Sequence, residues 1–378
     1  MKILQVNNLF SPRHGGSAEV PYRLSRELVN RGHQVTIYTS DFQLDPNHLP
    51  PLEGITFHTF KTWANAAGLQ KTPGIILRAR REVKDMDIIH LHNFRTFQNI
   101  AVHYYARKYG VPYVLQAHGS LPRIMFKKVL KKAFDVVWGK ALLKDAAMVM
   151  AVTRTEADQY LNAGVAESKI RIIPHGVDAD EFASLPLKKE FKRKHGIPED
   201  RNVVLYLGRI HKIKGLDLLV KAFAEIIKNV DNVVLVIAGP DDGYLTELHK
   251  LVAALDLGEK IIFTGALYER EKLSAYVDAD VYVLPSVYEI FGITLLEALA
   301  CGTPVVLTDR CGLADAIKDR AGLVVGYDQK QLQTALQQLL TDEKLRYGFG
   351  EAGRKMVREK FDWAKITGQV ENLYQEIL

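Results

Sequence analysis

Residues 203–227 read VVLYLGRIHKIKGLDLLVKAFAEII. Val203 to Leu207 is an apolar run of strand length, and Gly208 to Gly215 is a basic loop. Residues 216–227 follow as a helical stretch with Leu219, Phe223 and Ile226 on one face. Strand, loop and helix in that order open a parallel α/β sheet. The continuation keeps the pattern, with strands predicted at 233–238, 261–264, 281–284, 304–307 and 322–325 and helix-length segments between them.

The same pattern precedes this stretch. A strand at 3–6 is followed by a loop, 7–17, with Pro12 and the pair Gly15-Gly16. An amphipathic helix comes next, carrying Val20, Leu24 and Leu28, with Pro21 tolerable in its first turn. A strand at 35–39 completes the unit. Further strands are predicted at 55–60, 88–91, 113–116, 148–152 and 170–173, and helices at 99–109 and 154–163. Residues 174–200 are polar, charged and proline-containing, as a domain connection is. At 378 residues the chain exceeds one core. The expected fold class is therefore α/β, with Rossmann-like domains at 1–180 and 181–360. The tail, 361–378, is a helix with Trp363, Ile366, Val370 and Leu373 on one side. Ligands of such sheets sit beyond the carboxyl ends of the strands, and two crevices can face each other across a cleft.

No run of 18 apolar residues is present, and Met1 to Asn8 turns polar too soon for a signal peptide. Cys301 and Cys311 make neither a disulfide framework nor a metal pattern, which fits a reducing cytoplasm. The net charge of +6 is uneven: residues 1–185 hold 24 Lys+Arg against 16 Asp+Glu. A basic first half suits an acidic partner, such as anionic lipid or a phosphorylated acceptor, ahead of nucleic acid. Residues 123–144 (RIMFKKVLKKAFDVVWGKALLK) alternate lysines with Met125, Phe126, Val129, Phe134, Val137 and Trp138. Such a basic amphipathic helix packs on its own domain, lies on the inner face of an anionic membrane, or does both.

Loops just after strands hold the candidate site residues. Gly15 and Gly16 let backbone N–H groups approach an anion, although the spacing is not the dinucleotide fingerprint. His118, in Gln116-Ala117-His118-Gly119-Ser120, stands at a strand end where it could bond a substrate and titrate near neutrality. His90 and His92 suggest a metal pair, but no carboxylate or cysteine stands at a ligand-like spacing. Arg209 and Lys214 place a guanidinium and an ammonium beside a helix start, which suits a diphosphate. In Glu289-Ile-Phe-Gly-Ile-Thr-Leu-Leu-Glu297, two carboxylates bracket another helix start. Glu297, among leucines and alanines, needs donors from the protein or from a hydroxyl-rich ligand.

These motifs, together with Ile173-Pro174-His175-Gly176-Val177-Asp178 and Ala238-Gly239-Pro240, span almost the whole chain in order. The chain resembles the retaining, nucleotide-sugar-dependent glycosyltransferases of family 4, which have the GT-B fold. The resemblance implies that Arg209 and Lys214 hold the donor diphosphate, Glu289 the sugar and Glu297 the ribose. It further implies that the backbone of Phe291, Gly292, Ile293 and Thr294 lines the sugar and that the main chain near Leu267 meets the base. Gly15 and Gly16 would approach the phosphate and acceptor, and His118 the donor sugar. It implies no metal and no cofactor beyond the nucleoside-diphosphate sugar itself. The acceptor would be a hydroxyl of a glycan, glycolipid or lipid-linked intermediate of envelope polysaccharide biosynthesis. A GT-B epimerase or phosphorylase and a non-enzymatic lipid-binding scaffold are the competing readings.

Overall fold

Ile3, Leu4 and Val6 are fully buried in β1 (Lys2–Val6), an interior strand of a seven-stranded sheet. Its other strands are β2 (Gln34–Ser40), β3 (Ile55–Phe60), β6 (Ile88–His92), β7 (Tyr113–Gln116), β8 (Met148–Ala151) and β9 (Ile170–Ile172). The order is β3-β2-β1-β6-β7-β8-β9, and every pair is parallel. A small antiparallel pair, β4 (Ala64–Ala66) and β5 (Leu69–Lys71), is an addition that periodicity did not reveal. The structure is a computed structural model and describes residues 1–10, 16–44, 51–66, 69–123 and 128–378.

The second sheet comprises β10 (Asn202–Leu207), β11 (Val233–Ala238), β12 (Ile261–Gly265), β13 (Val281–Leu284), β14 (Val305–Thr308) and β15 (Gly322–Val325). It too is all parallel, in the order β12-β11-β10-β13-β14-β15. Every strand predicted from the sequence is present to within one residue at either end. Strands buried on both faces are nearly continuous Val/Ile/Leu runs, which is why composition alone marks them. The sheets belong to two units: residues 1–175 with 363–378, and residues 176–362. The sequence reading sets these boundaries at 180 and 360. Val177 N donates to Phe361 O at 2.7 Å, tying the two chain crossings together inside the second unit.

The helices follow their apolar faces. Helix Leu216–Ile226 buries Leu216, Leu219, Val220, Ala222, Phe223 and Ile226. Helix Phe97–Tyr109 begins two residues before its predicted start, because the Thr96 side chain caps it by accepting from Asn99 N. The terminal helix, Trp363–Ile377, buries Trp363, Ile366, Val370, Leu373 and Tyr374, and Glu371 holds both Arg31 (3.1 Å) and His33 (2.9 Å). The basic segment is not one regular helix. An α-helix, Lys128–Phe134, passes through a π-turn, Asp135–Gly139, into a second α-helix, Lys140–Asp145. At the π-turn Asp135 is gripped by Arg95 (2.7 and 2.8 Å) and Arg123 (2.9 Å). Residues 124–127, including Met125 and Phe126, lie outside the described residues.

Candidate active site

In the second unit the strand order reverses between β10 and β13, so the crevice of that sheet opens where their following loops separate. Those two loops carry Arg209, Lys214 and Glu289. Gly215 adopts φ +68°, and a Cβ built there would stand 2.0 Å from Pro285 O. Only glycine allows so close an approach. Val287 N donates to Ile213 O at 2.8 Å and joins the loops a second time. Lys214 Nζ, carried on this junction, forms an ion pair with Glu289 Oε2, each side chain 16% exposed.

Arg209 points elsewhere. Its Nη1 meets Asp242 Oδ2 at 2.5 Å, and both side chains are roughly half exposed. Backbone bonds set the partner in place: Ile210 N donates to Pro240 O (2.9 Å) and Asp242 N to Ile210 O (3.0 Å). Asp241 Oδ1 accepts from Gly243, Tyr244 and Leu245 N, chiefly Leu245, which lowers its pKa and holds the loop folded.

Past Glu289 the chain turns into helix Ile293–Ala300 through Gly292, whose φ of +79° suits no other residue well. The N–H groups of Ile293 and Thr294 therefore belong to a helix N-terminus, the positive end of its dipole. The Tyr282 hydroxyl bonds Leu207 O (3.1 Å) and shares a hydrogen bond with Thr294 Oγ1 (2.7 Å), fixing that turn to β10. The Phe291 ring is core, 2% exposed and 6.2 Å from Phe361. The protein itself answers the burial of Glu297. Lys272 Nζ donates to Oε1 and Tyr276 Oη to Oε2, both at 2.8 Å, and Glu181 flanks Lys272 at 3.4 Å. Lys272 and Tyr276 sit one turn apart on helix Glu269–Asp278, and nothing in their own sequence context ties them to Glu297. Leu267 is buried in the loop after edge strand β12.

In the first unit Gly16 opens helix Gly16–Asn30, while Gly15 falls outside the described residues. His118 has φ +50° and is followed by Gly119 at +77°. Glu156 holds this turn, accepting from Gly119 N (2.6 Å) and Val152 N (2.8 Å). Burial pushes its carboxyl up to about 7 against those two bonds. Ala117 N donates to the Tyr160 hydroxyl at 2.8 Å.

The expectation that His118 titrates near neutrality is corrected by its surroundings. Its ring lies between His92 (centroids 5.2 Å apart) and His175 (5.1 Å), and His92 stacks on His90 (4.1 Å). Burial first, and then the charge of neighbouring histidines, push His92 and His118 well below the ordinary histidine value, while burial above all brings His90 and His175 down to about 3. The pair His90 and His92 is part of this stack. Among the described residues no group of three or more His, Cys, Asp or Glu side chains is arranged to hold a metal ion. Cys301 and Cys311 are buried with thiols pushed up by burial.

Residues 14–181 match the family described as Glycosyltransferase Family 4, and residues 188–356 match Glycosyl transferases group 1. D-inositol 3-phosphate glycosyltransferase 2 of Catenulispora acidiphila is 30% identical over 95% of this chain and 90% of its own. The chain belongs to the family 4 glycosyltransferases. This glycosyltransferase is also 27% identical to the GDP-mannose-dependent alpha-(1-6)-phosphatidylinositol monomannoside mannosyltransferase of Mycolicibacterium smegmatis, over 96% and 95% of the two chains. HepE of Anabaena, solved in complex with UDP and glucose, superposes with a TM-score of 0.84 at 18% identity over the whole of both chains. The architecture is the GT-B fold, and the glycosyltransferase is an enzyme that transfers a sugar, which sets the non-enzymatic scaffold aside.

Proposed function

We propose that this glycosyltransferase moves a sugar from a nucleoside-diphosphate sugar to a hydroxyl acceptor with retention of the anomeric configuration. The observation that carries the reading is the Lys214–Glu289 pair at the β10/β13 reversal, beside the helix N-terminus at Gly292. When the donor binds, its diphosphate takes over Lys214 and draws in Arg209, and Glu289 turns to the sugar hydroxyls. The two cations and the N–H groups of Ile293 and Thr294 then neutralise charge growing on the leaving phosphate. Glu297 keeps lone pairs beyond those used by Lys272 and Tyr276, and these accept from the ribose. The main chain near Leu267 meets the base, Gly15 and Gly16 approach phosphate and acceptor, and His118 contacts the sugar. The acceptor attacks on the face the diphosphate leaves, and a phosphate oxygen takes its proton. No glutamate is a nucleophile, and no metal or further cofactor takes part.

The acceptor we propose is a glycan or lipid-linked hydroxyl of envelope polysaccharide biosynthesis, met at the inner face of the membrane. Val129, Leu130, Val136, Val137 and Trp138 are exposed beside Lys131, Lys132, Lys140 and Lys144, a surface suited to anionic lipid. The relative from Mycolicibacterium, whose name gives GDP-mannose and a phosphatidylinositol mannoside, and HepE with its UDP and glucose support both halves. Thermal shifts with a panel of nucleoside diphosphates and their sugars identify the donor, and the anomeric proton signals of donor and product test retention. A product of opposite anomeric configuration, or a shift with no nucleoside diphosphate, overturns the proposal. Equal transfer to water or orthophosphate moves the assignment to phosphorylase-like chemistry.

A further inference from the structure

Gln5 lies in the middle of β1, fully buried, with His90 as its register partner on β6. Its amide nitrogen donates to the Tyr374 hydroxyl of the terminal helix at 3.3 Å, which leaves Oε1 facing His92 Nε2 at 2.6 Å. An amide oxygen only accepts, so the hydrogen is on His92 Nε2. A neutral imidazole with hydrogen on one nitrogen accepts at the other. His92 Nδ1 therefore accepts from His118 Nε2, 2.9 Å away, and His118 in turn is left with a lone pair on Nδ1. The last link, His118 Nδ1 to His175 Nε2, is the longest at 3.3 Å. The three ring planes are nearly parallel, 15° and 25° apart, an orientation compatible with nitrogen-to-nitrogen hydrogen bonds between neighbours.

We infer that Gln5 and His92 are positioning residues: they fix His118 as the Nε2–H tautomer, so that its Nδ1 accepts a hydrogen bond from a hydroxyl of the transferred sugar. The inference rests on the assignment of His118 to the sugar and adds the polarity of that contact. Direction propagates along such a chain because each ring offers one donor and one acceptor. The turn that carries the ring is held by Glu156 and Tyr160, through the backbone N–H groups on either side of His118. A sugar hydroxyl approaching at an ordinary O–H···N distance takes the place of the long His175 contact without disturbing the rest.

The test uses the full chain labelled with 15N-histidine and a two-bond proton–nitrogen correlation spectrum, with signals assigned by His92→Asn and His118→Asn. In the wild type, both rings are expected to show the single neutral Nε2–H pattern. Gln5→Leu is expected to mix the tautomers of His92 and His118 and to lower kcat about fivefold to tenfold, the worth of one hydrogen bond. An Nδ1–H pattern for His118 in the wild type overturns the inference and needs no variant to fold. So does a wild-type tautomer pattern in folded Gln5→Leu. If the spectra are as expected but His118→Ala transfers sugar at the wild-type rate, the relay stands and the contact of His118 with the sugar is what fails.

Discussion

Lys214 and Glu289 already hold each other where the donor diphosphate and sugar are proposed to bind, so each is the other's stand-in for a substrate group. Removing either leaves a half-buried charge without its partner and, on the proposed mechanism, deletes a transition-state contact. Lys214→Ala, Glu289→Ala and Arg209→Ala are each expected to lower transfer at least about tenfold, read from initial rates. Wild-type rates would remove them from the site. Glu297 is different, because Lys272 and Tyr276 share it and the ribose contact proposed for it lies away from the reacting bond. Tyr276→Phe is expected to raise the donor KM several-fold with kcat nearly unchanged, since a uniform binding contact affects KM alone. The two carboxylates were legible as residues, from their spacing around a glycine. Lys272, Tyr276 and Asp242 were not, because their partners, Glu297 on another helix and Arg209 in another loop, are remote in sequence.

At the scale of elements, the loops after β10 and β13 work as one piece because Gly215 lies against Pro285. Gly215→Ala puts a Cβ where the Pro285 carbonyl is, so the loops must part and Lys214 leaves Glu289. The expected result is a loss of transfer at least as large as that of Lys214→Ala, with a lowered Tm. Gly292→Ala meets the Leu295, Leu284 and Glu289 side chains, at 3.0, 3.1 and 3.4 Å, and the strain of a positive φ. Its stability cost is expected to be about 1–2 kcal/mol by urea unfolding. The segment spanning Lys128–Asp145 is the element least legible in sequence. Its lysines and apolar residues were plain, yet the π-turn comes from Asp135 answering Arg95 and Arg123. Its binding to vesicles of anionic lipid is expected to weaken steeply as salt rises, and absence of binding at low salt ends the membrane proposal.

For the molecule as a whole, acid stability divides between the units. His90, His92, His118 and His175 all lie in the first unit with depressed pKa values, so the unfolded chain takes up protons that the folded one refuses. That stability is complete above the unfolded value of 6.5 and falls as pH drops, each group contributing up to about 1.4 kcal/mol per pH unit. Glu156 acts oppositely: its raised value adds stability below 4.5 that is lost as pH rises through about 7. Four histidines outweigh one glutamate, so the first unit is expected to loosen before the second between pH 6.5 and 4.5. Trp63, Trp138 and Trp363 all belong to the first unit, so tryptophan emission reports it alone. Emission that stays native down to pH 4.5 would refute this.

Both parallel sheets were legible in the sequence, strand by strand, because buried strands are continuous apolar runs and the βα loops of the second sheet each carry glycine. The sequence also determined the family, through motifs that follow one another in order along the chain. Only the tertiary structure decided the pairings: Glu289 with Lys214, Glu297 with Lys272 and Tyr276, and Gln5 with His92 and His118. Each joins residues from different strands or helices, brought together by sheet order. The charge state of His118 was likewise beyond the sequence, since it depends first on burial and then on His175 and His90, which only folding places around it.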